Sequence, residues 1–354
     1  MKCLTQGLSR QECKNIYNFS KEKCEHIAKT ANLNIPFTDK EPGKQLIQYL
    51  DRFCYSVPKL KRLLRESYPF FKPKCKVAIL IANEKYQSMP KLVTPASDCN
   101  LFQSLLIKLG FITVVVLNCT SEELKTVLHN VYNVIPESSY VLIYYAGHGC
   151  ELLNRSCILS IDCPKENITL EHCITENDIV QGLRKCKTEL GIVILDMCRY
   201  QLERESNPEI YAQMSSVDIC TINENENLII AFASQCSEAA FEQIELYTMR
   251  SINDSTYELK TEDEGKIKPM SSQYFKTLST RIKEDLDISN LFDQVNEDMN
   301  KLPKTQNPVT KQGTLNMKYS LCDPTSGDMK EILSKLQVSL KECKTCSVVA
   351  LNNK

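Results

Sequence analysis

The chain of 354 residues carries four histidines and 18 cysteines, and one of each stands where chemistry is easiest to place. His148 follows the apolar run YVLIYYA and lies between Gly147 and Gly149. Cys198 follows a second run, GIVILD, two residues beyond Asp196. A thiol becomes a nucleophile when a base takes its proton, and imidazole suits that task near neutral pH. Flanking glycines allow a sharp turn and let backbone N–H groups approach a ligand. The two residues therefore read as a candidate Cys–His site for acyl transfer. Most cysteines are inert small hydrophobes, so the reading rests on both residues lying at neighbouring strand ends. The other histidines compete poorly: His26 and His129 fall in helical patterns, and His172 lies in a loop beside Cys173. Cys157, Cys163, His172 and Cys173 lack the paired spacing of a zinc site, and Cys343-Lys344-Thr345-Cys346 has no second pair. No metal or organic cofactor is expected.

The elements that must position this pair can be read from periodicity. Strand-length apolar runs at Lys76–Ala82, Thr113–Leu117, Tyr140–Tyr145, Gly191–Asp196 and Asn227–Ala233 alternate with helical patterns at Pro95–Leu109, Ser121–Ile135 and Ile174–Lys185. Continuous β-branched runs mean strands buried on both faces, and the βαβα order predicts an α/β fold, a three-layer α/β/α sandwich around a mostly parallel sheet. In such sheets chemistry sits beyond the carboxyl ends of the strands. Helices near Ser272–Asp285 and Ser289–Leu302 complete the layers, and Thr314–Leu321 is the expected last edge strand. Gln201–Asn227 and Tyr247–Pro269 lack apolar periodicity and read as flexible insertions, the second placing Arg250-Ser251 in an exposed polar loop.

Upstream, residues 1–70 predict a small all-α unit, with helices over Gln45–Phe53 and Val57–Leu64. Pro69 and Pro73 mark a linker. Residues 74–324 form the α/β domain, and 325–354 a short helix and polar tail. Hydrophobic residues at 42% and charged residues at 25% exclude wholesale disorder. A net charge of −1 advertises neither a nucleic-acid nor an anionic-membrane surface. Scattered cysteines and the lack of an apolar N-terminal run place the protein in the cytoplasm or nucleus.

The motifs YYAGHG and LDMCR, with KVAILIAN opening the domain and AFASQCSEAAFE downstream, resemble the paracaspase branch of the caspase-like cysteine peptidases. The likeness runs from about Lys74 to Pro324, and the 50 residues between His148 and Cys198 match caspase-type spacing. Metacaspases show a DCCHSG-like sequence at the nucleophile and true caspases show QACRG; DMCRY fits neither. The resemblance implies that His148 takes the proton of Cys198, whose thiolate attacks the scissile carbonyl to form an acyl-enzyme. It also implies an oxyanion hole from the backbone N–H groups of Gly149 and Cys198.

In the paracaspase resemblance three acids line the S1 pocket, and they map onto Asp98 in TPASDC, Asp196, and Glu242 in AAFE. Carboxylates there imply cleavage of protein substrates after Arg, because a guanidinium pairs with them through a planar fork of donors. The resemblance further implies a homodimer through the caspase-like domain, and the N-terminal helices resemble part of a death domain, which implies a death-fold adaptor or scaffold partner in signalling. Two alternatives stay open. One is a calcium-stimulated metacaspase-like peptidase cutting after Arg or Lys; the other is an adaptor whose caspase-like domain serves mainly as scaffold.

Overall fold

In this computed structural model, which describes residues 16–17, 19–56, 59–60, 63, 72–223, 226–235, 242–245, 249–253, 256–259, 268–302, 306–315 and 318–350, the continuous apolar runs become the inner strands of one sheet. The chain divides into two units, Met1–Phe71 and Lys72–Lys354.

The first unit contains α1 (Lys21–Thr30) and α2 (Pro42–Arg52). Pro42 occupies the first turn of α2, where its missing N–H costs nothing. Leu46, Ile47 and Leu50 then share one face and pack with Ile16, Cys24, Ile27 and Phe37. Of the helix expected over 57–64, Lys59, Leu60 and Leu63 are helical, and the rest lies outside the described residues.

The second unit is a three-layer α/β/α sandwich. Its central strands are β1 (Lys76–Ala82), β2 (Ile112–Leu117), β3 (Tyr140–Ala146), β7 (Leu190–Asp196) and β8 (Leu228–Phe232), all parallel to one another. The sheet order is β13-β8-β7-β3-β1-β2-β14, with antiparallel edge strands β13 (Val309–Gln312) and β14 (Cys346–Val349) at its ends. β1, β3 and β7 are buried along their whole length. Side chains nevertheless alternate: Val141, Ile143 and Tyr145 of β3 join one core, while Tyr140 and Tyr144 meet aromatic rings on the other face.

On the first face lie α4 (Ser121–Val134), α5 (Glu176–Lys185) and α9 (Met329–Ser339), whose Leu124, Leu128, Ile179, Leu183, Ile332 and Leu336 fill the same core. On the second, Phe102 of α3 (Pro95–Lys108) and Phe275 of α7 (Gln273–Arg281) pack against Tyr144 with ring centroids 5.1 and 5.7 Å away. α8 (Ile288–Asn300) packs beside α7.

Four features differ from the expectation. The edge strand lies at β13, upstream of 314–321, because Val309–Gln312 is a short, half-exposed strand with too few apolar residues to stand out. Gln201–Asn227 contains α6 (Pro208–Met214), whose Ile210 and Met214 are buried against Cys150 and Leu152. Arg250 lies not in an irregular loop but on β10 (Met249–Asn253), paired with β11 (Thr256–Leu259); register, not apolar periodicity, defines these short strands. The tail is also more than polar: α9 packs on the core and β14 extends the sheet.

Candidate active site

The β3–β7 register sets the geometry. Ala146 pairs with Asp196, and the same offset of 50 continues past the strand ends, where Cys150 pairs with Tyr200. Between these two pairs lie His148 and Cys198, at matching positions on the carboxyl edge of the sheet. The backbone closes the frame: Gly147 donates to the Asp196 carbonyl at 3.4 Å and Glu151 to the Tyr200 carbonyl at 3.0 Å. Both candidate residues are partly exposed.

Two tyrosines hold the histidine. The His148 N–H donates to the Tyr86 hydroxyl at 2.7 Å, and the Tyr145 hydroxyl donates to the His148 carbonyl at 2.6 Å. The imidazole lies against the Tyr86 ring, centroids 4.4 Å apart. His148 Nε2 is 2.7 Å from the Pro90 carbonyl oxygen. A carbonyl only accepts, so Nε2 carries the hydrogen, and in the neutral ring Nδ1 is the nitrogen able to take a proton.

The glycines that marked this motif serve close packing. A Cβ on Gly147 would stand 2.5 Å from the Tyr145 hydroxyl and 2.7 Å from that of Tyr86, and one on Gly149 would stand 2.1 Å from Met197 Sδ. Met197 precedes Cys198, so Gly149 lets the histidine loop approach the cysteine loop.

Gly149 opens β4 (Gly149–Leu152), which pairs with β5 (Arg155–Leu159) and through it with β6 (Cys173–Thr175). The His148 carbonyl accepts from Leu159 N on the β5 side. In a trans peptide the next N–H points the opposite way. The Gly149 N–H is therefore directed away from β5, on the side where Glu151 N meets Tyr200.

A buried ion pair lies next to this frame. Arg199 contacts Glu151 through its guanidinium, donates to the Ser234 carbonyl at 3.3 Å, and stacks 4.2 Å over the Phe232 ring. Ser234 Oγ in turn donates to the Met197 carbonyl at 3.1 Å. The segment Met197–Tyr200 is thus tied to β4 on one side and to the end of β8 on the other.

Two of the candidate S1 acids converge on one serine. Asp98 and Asp196 are 0% and 5% exposed. Ser272 donates its backbone N–H to Asp98 Oδ2 at 2.9 Å and its hydroxyl to Asp196 Oδ2. The Tyr144 hydroxyl also donates to Asp196 Oδ2, at 3.1 Å. Ser272 holds this place as the N-cap of α7, its oxygen accepting from Phe275 N at 2.9 Å. It ends β12 (Lys268–Ser272), which pairs with β9 (Glu242–Glu245) so that Ser272 faces Glu242 in the register. The field of the acids is felt nearby: burial, and then the charges of Asp98, Asp196 and Glu84, push the Cys99 thiol well up. Burial, and then Asp196 and Asp98, raise the Tyr144 phenol likewise.

Sequence reasoning missed Pro90, Tyr86, Tyr145, Ser272 and the Glu151–Arg199 pair. All but Tyr145, which lies three residues before His148 in YYAGHG, act through a contact between distant segments. His172, set aside from the sequence, accepts the Thr169 N–H at 3.1 Å within a 3₁₀ turn, a local structural role. Among the described residues no group of three or more His, Cys, Asp or Glu side chains could hold a metal ion, and no helix is long and apolar enough to cross a membrane.

A parallel sheet that presents a histidine loop and a cysteine loop side by side at its carboxyl edge has the layout of a caspase-like domain. Residues 75–320 match the caspase domain family, a family of cysteine peptidases, and the chain belongs to it. Within that family its likeness is of the paracaspase type. It is 28% identical over 256 residues to the mucosa-associated lymphoid tissue lymphoma translocation protein 1 of Homo sapiens, covering 72% of this chain and 27% of that protein. The homolog from Mus musculus matches to the same extent. The chain thus spans about a quarter of the length of these curated relatives. Among solved structures it is similar to caspase-1 from Spodoptera frugiperda, at 14% identity, TM-score 0.48, 73% of this chain and 94% of that one. It is also similar to the Drosophila initiator caspase Dronc, at 9% identity, TM-score 0.48, 72% of this chain and 87% of that one.

Proposed function

We propose that this protein is a cysteine endopeptidase that cleaves protein substrates after arginine, through His148 and Cys198. The observation that carries the reading is the convergence of Asp98 and Asp196 on Ser272, with Glu242 opposite in the register, beside the two residues able to do acyl transfer. Two carboxylates buried close together concentrate acceptors that suit the planar guanidinium of a substrate arginine.

In this reading His148 Nδ1 takes the Cys198 proton, while the Pro90 carbonyl and the Tyr86 ring hold the imidazole in that tautomer. The thiolate attacks the scissile carbonyl. The developing oxyanion meets the N–H groups of Gly149 and Cys198, donors fixed before the reaction begins. The imidazolium gives its proton to the leaving amine, and water, with His148 as base, releases the acyl group. A homodimer is part of the proposal, with β13 at the end of the sheet as the strand that meets its copy. So is a signalling role in the cytoplasm, with the N-terminal unit recruiting a death-fold adaptor.

Matched fluorogenic peptides ending in Arg, Lys or Asp test the proposal, each with and without a dimer-promoting salt and calcium. Arg-selective turnover that vanishes in Cys198→Ala supports it. Turnover that depends on calcium and accepts Lys equally would favour the metacaspase-like alternative. No turnover from folded, dimeric protein in any condition would leave a scaffold.

A further inference from the structure

A pair of thiols outside the site sits where α9 gives way to β14. Cys343 Sγ and Cys346 Sγ are 2.6 Å apart, across a turn made by Lys344 and Thr345. Both are partly exposed, and Lys344 between them is exposed. This sets them apart from Cys150 and Cys157, which face each other across β4 and β5 but are only 1% and 0% exposed. An oxidant in solution can reach the first pair and not the second.

The pair also stands at a mechanically weak point. β14 is a four-residue edge strand with alternate side chains exposed, held by its ladder to β2 and by the bond from Thr113 Oγ1 to the Val349 carbonyl. Its anchor at the leading end is Leu117 N donating to the Thr345 carbonyl at 3.0 Å, inside the Cys343–Cys346 turn. The Cys343 N–H is tied to the Leu340 carbonyl at the end of α9. A covalent bond across this turn would fix the angle between helix and strand and hold the Thr345 carbonyl at its place on β2.

We propose that Cys343 and Cys346 are a redox-active dithiol, which closes to a disulfide by exchange with a small-molecule disulfide such as oxidised glutathione, and that closure locks β14 onto the sheet. The Cys343 thiolate attacks one glutathione sulfur, breaks its S–S bond and expels glutathione thiolate, which takes up the proton Cys343 released. Cys346 then loses its proton and attacks the Cys343 sulfur of the mixed disulfide, expelling the second glutathione. Two protein thiols and one oxidised glutathione become one protein disulfide and two reduced glutathiones. Burial pushes the Cys346 thiol well up, which disfavours it as the first nucleophile. A third thiol, Cys119, lies close enough to perturb both Cys346 and itself be perturbed by Cys343, but it is wholly buried and lies 3.5 Å from Asn83 Oδ1.

The test uses the full chain carrying Cys198→Ser, equilibrated across a series of oxidised-to-reduced glutathione ratios, then alkylated, digested and weighed by mass spectrometry. The expected result is a peptide in which Cys343 and Cys346 both escape alkylation, carry no glutathione, and become alkylated after reduction. Adding Cys346→Ser should trap glutathione on Cys343. Hydrogen exchange should show the β14 amides slowed in the oxidised form, with those of β1 unchanged. Alkylation of both thiols at every ratio, a glutathione adduct that persists with Cys346 present, or a cross-link to Cys119 would each overturn the assignment. A disulfide that leaves β14 exchange unaltered would overturn the lock.

Discussion

The two ends of the central sheet both bury charge, and they do so in opposite ways. At the amino end Lys76 is 2% exposed, and its ammonium is surrounded by the carbonyls of Leu109, Leu321 and Asp323. Asp323 nearby accepts from the Tyr140 hydroxyl at 2.7 Å and from Ser320 N at 2.9 Å. A cation meets acceptors and an anion meets donors, and the result ties the 319–323 segment to β1 and β3. At the carboxyl end two carboxylates of the same sign are gathered on one serine. An ammonium enclosed by carbonyls reads as architecture, whereas two carboxylates brought together mark a candidate site. Tyr144 and Tyr145 show the same division within the carboxyl end: adjacent on β3, they point to opposite faces, one hydroxyl reaching Asp196 and the other His148.

The comparison can be broken most forcefully through the third buried charge pair. Arg199→Met strands Glu151 beside the cysteine loop, and breaking such a pair costs about 3–5 kcal/mol. Urea unfolding should report that loss, and Arg199→Met paired with Glu151→Leu should recover most of it. An unaltered midpoint in the single variant would show the pair to be idle.

Next come the acids. Asp98→Asn or Asp196→Asn keeps shape and removes one charge from the pocket, worth about 1.5–3 kcal/mol for a charged hydrogen bond. On the proposed function, kcat/KM for an Arg peptide should fall by a factor of roughly 10–150, with thermal stability held or improved because like-charge repulsion is relieved. A fall in stability with Arg selectivity intact would reverse the assignment of the two ends.

Lys76→Met should do the converse, leaving turnover per folded molecule unchanged while buried carbonyls lose their donor, at a cost of about 1–3 kcal/mol. The pH dependence has a definite sign. Burial lowers the Lys76 ammonium to about 8 from 10.5, so between these values the unfolded chain binds more protons than the folded one and Lys76 adds stability as pH rises. The stability gap between wild type and Lys76→Met should therefore widen from pH 8 to pH 10. Taking the difference removes the opposing drift from buried thiols such as Cys75 and Cys119, which burial pushes up to about 11 and 12 from 9.0. A gap that narrows would contradict the buried cation.

The smallest effects should come from the tyrosine pair, about 1 kcal/mol for each lost hydroxyl. Tyr145→Phe loosens the His148 backbone and should lower kcat. Tyr144→Phe removes a donor from Asp196 and should alter KM for Arg peptides. Equal effects of both on kcat would erase the distinction between the two faces.

Much of this was legible in the chain. KVAILIA, YVLIYYA and GIVILD are β-branched runs of strand length, and a strand buried on both faces admits little else, so the parallel core followed from composition. His148 and Cys198 were visible because each directly follows such a run. The hairpin sheet β4–β5–β6, α6 and β13 were not, since strands of three to five residues and a seven-residue helix leave no periodicity to read. Glu242 and Asp98 were reached through family resemblance alone.

The sequence by itself determined the five inner strands, and with them the 50-residue offset between His148 and Cys198. That information is local, carried by apolar patterning and by turns at strand ends. Only the tertiary structure decided what surrounds the pair: the Pro90 carbonyl at His148 Nε2, Met197 where a Cβ on Gly149 would fall, and Ser272 joining Asp98 to Asp196. Those contacts span 48 to 174 residues of chain, and they arise from packing, which no spacing rule along the sequence encodes.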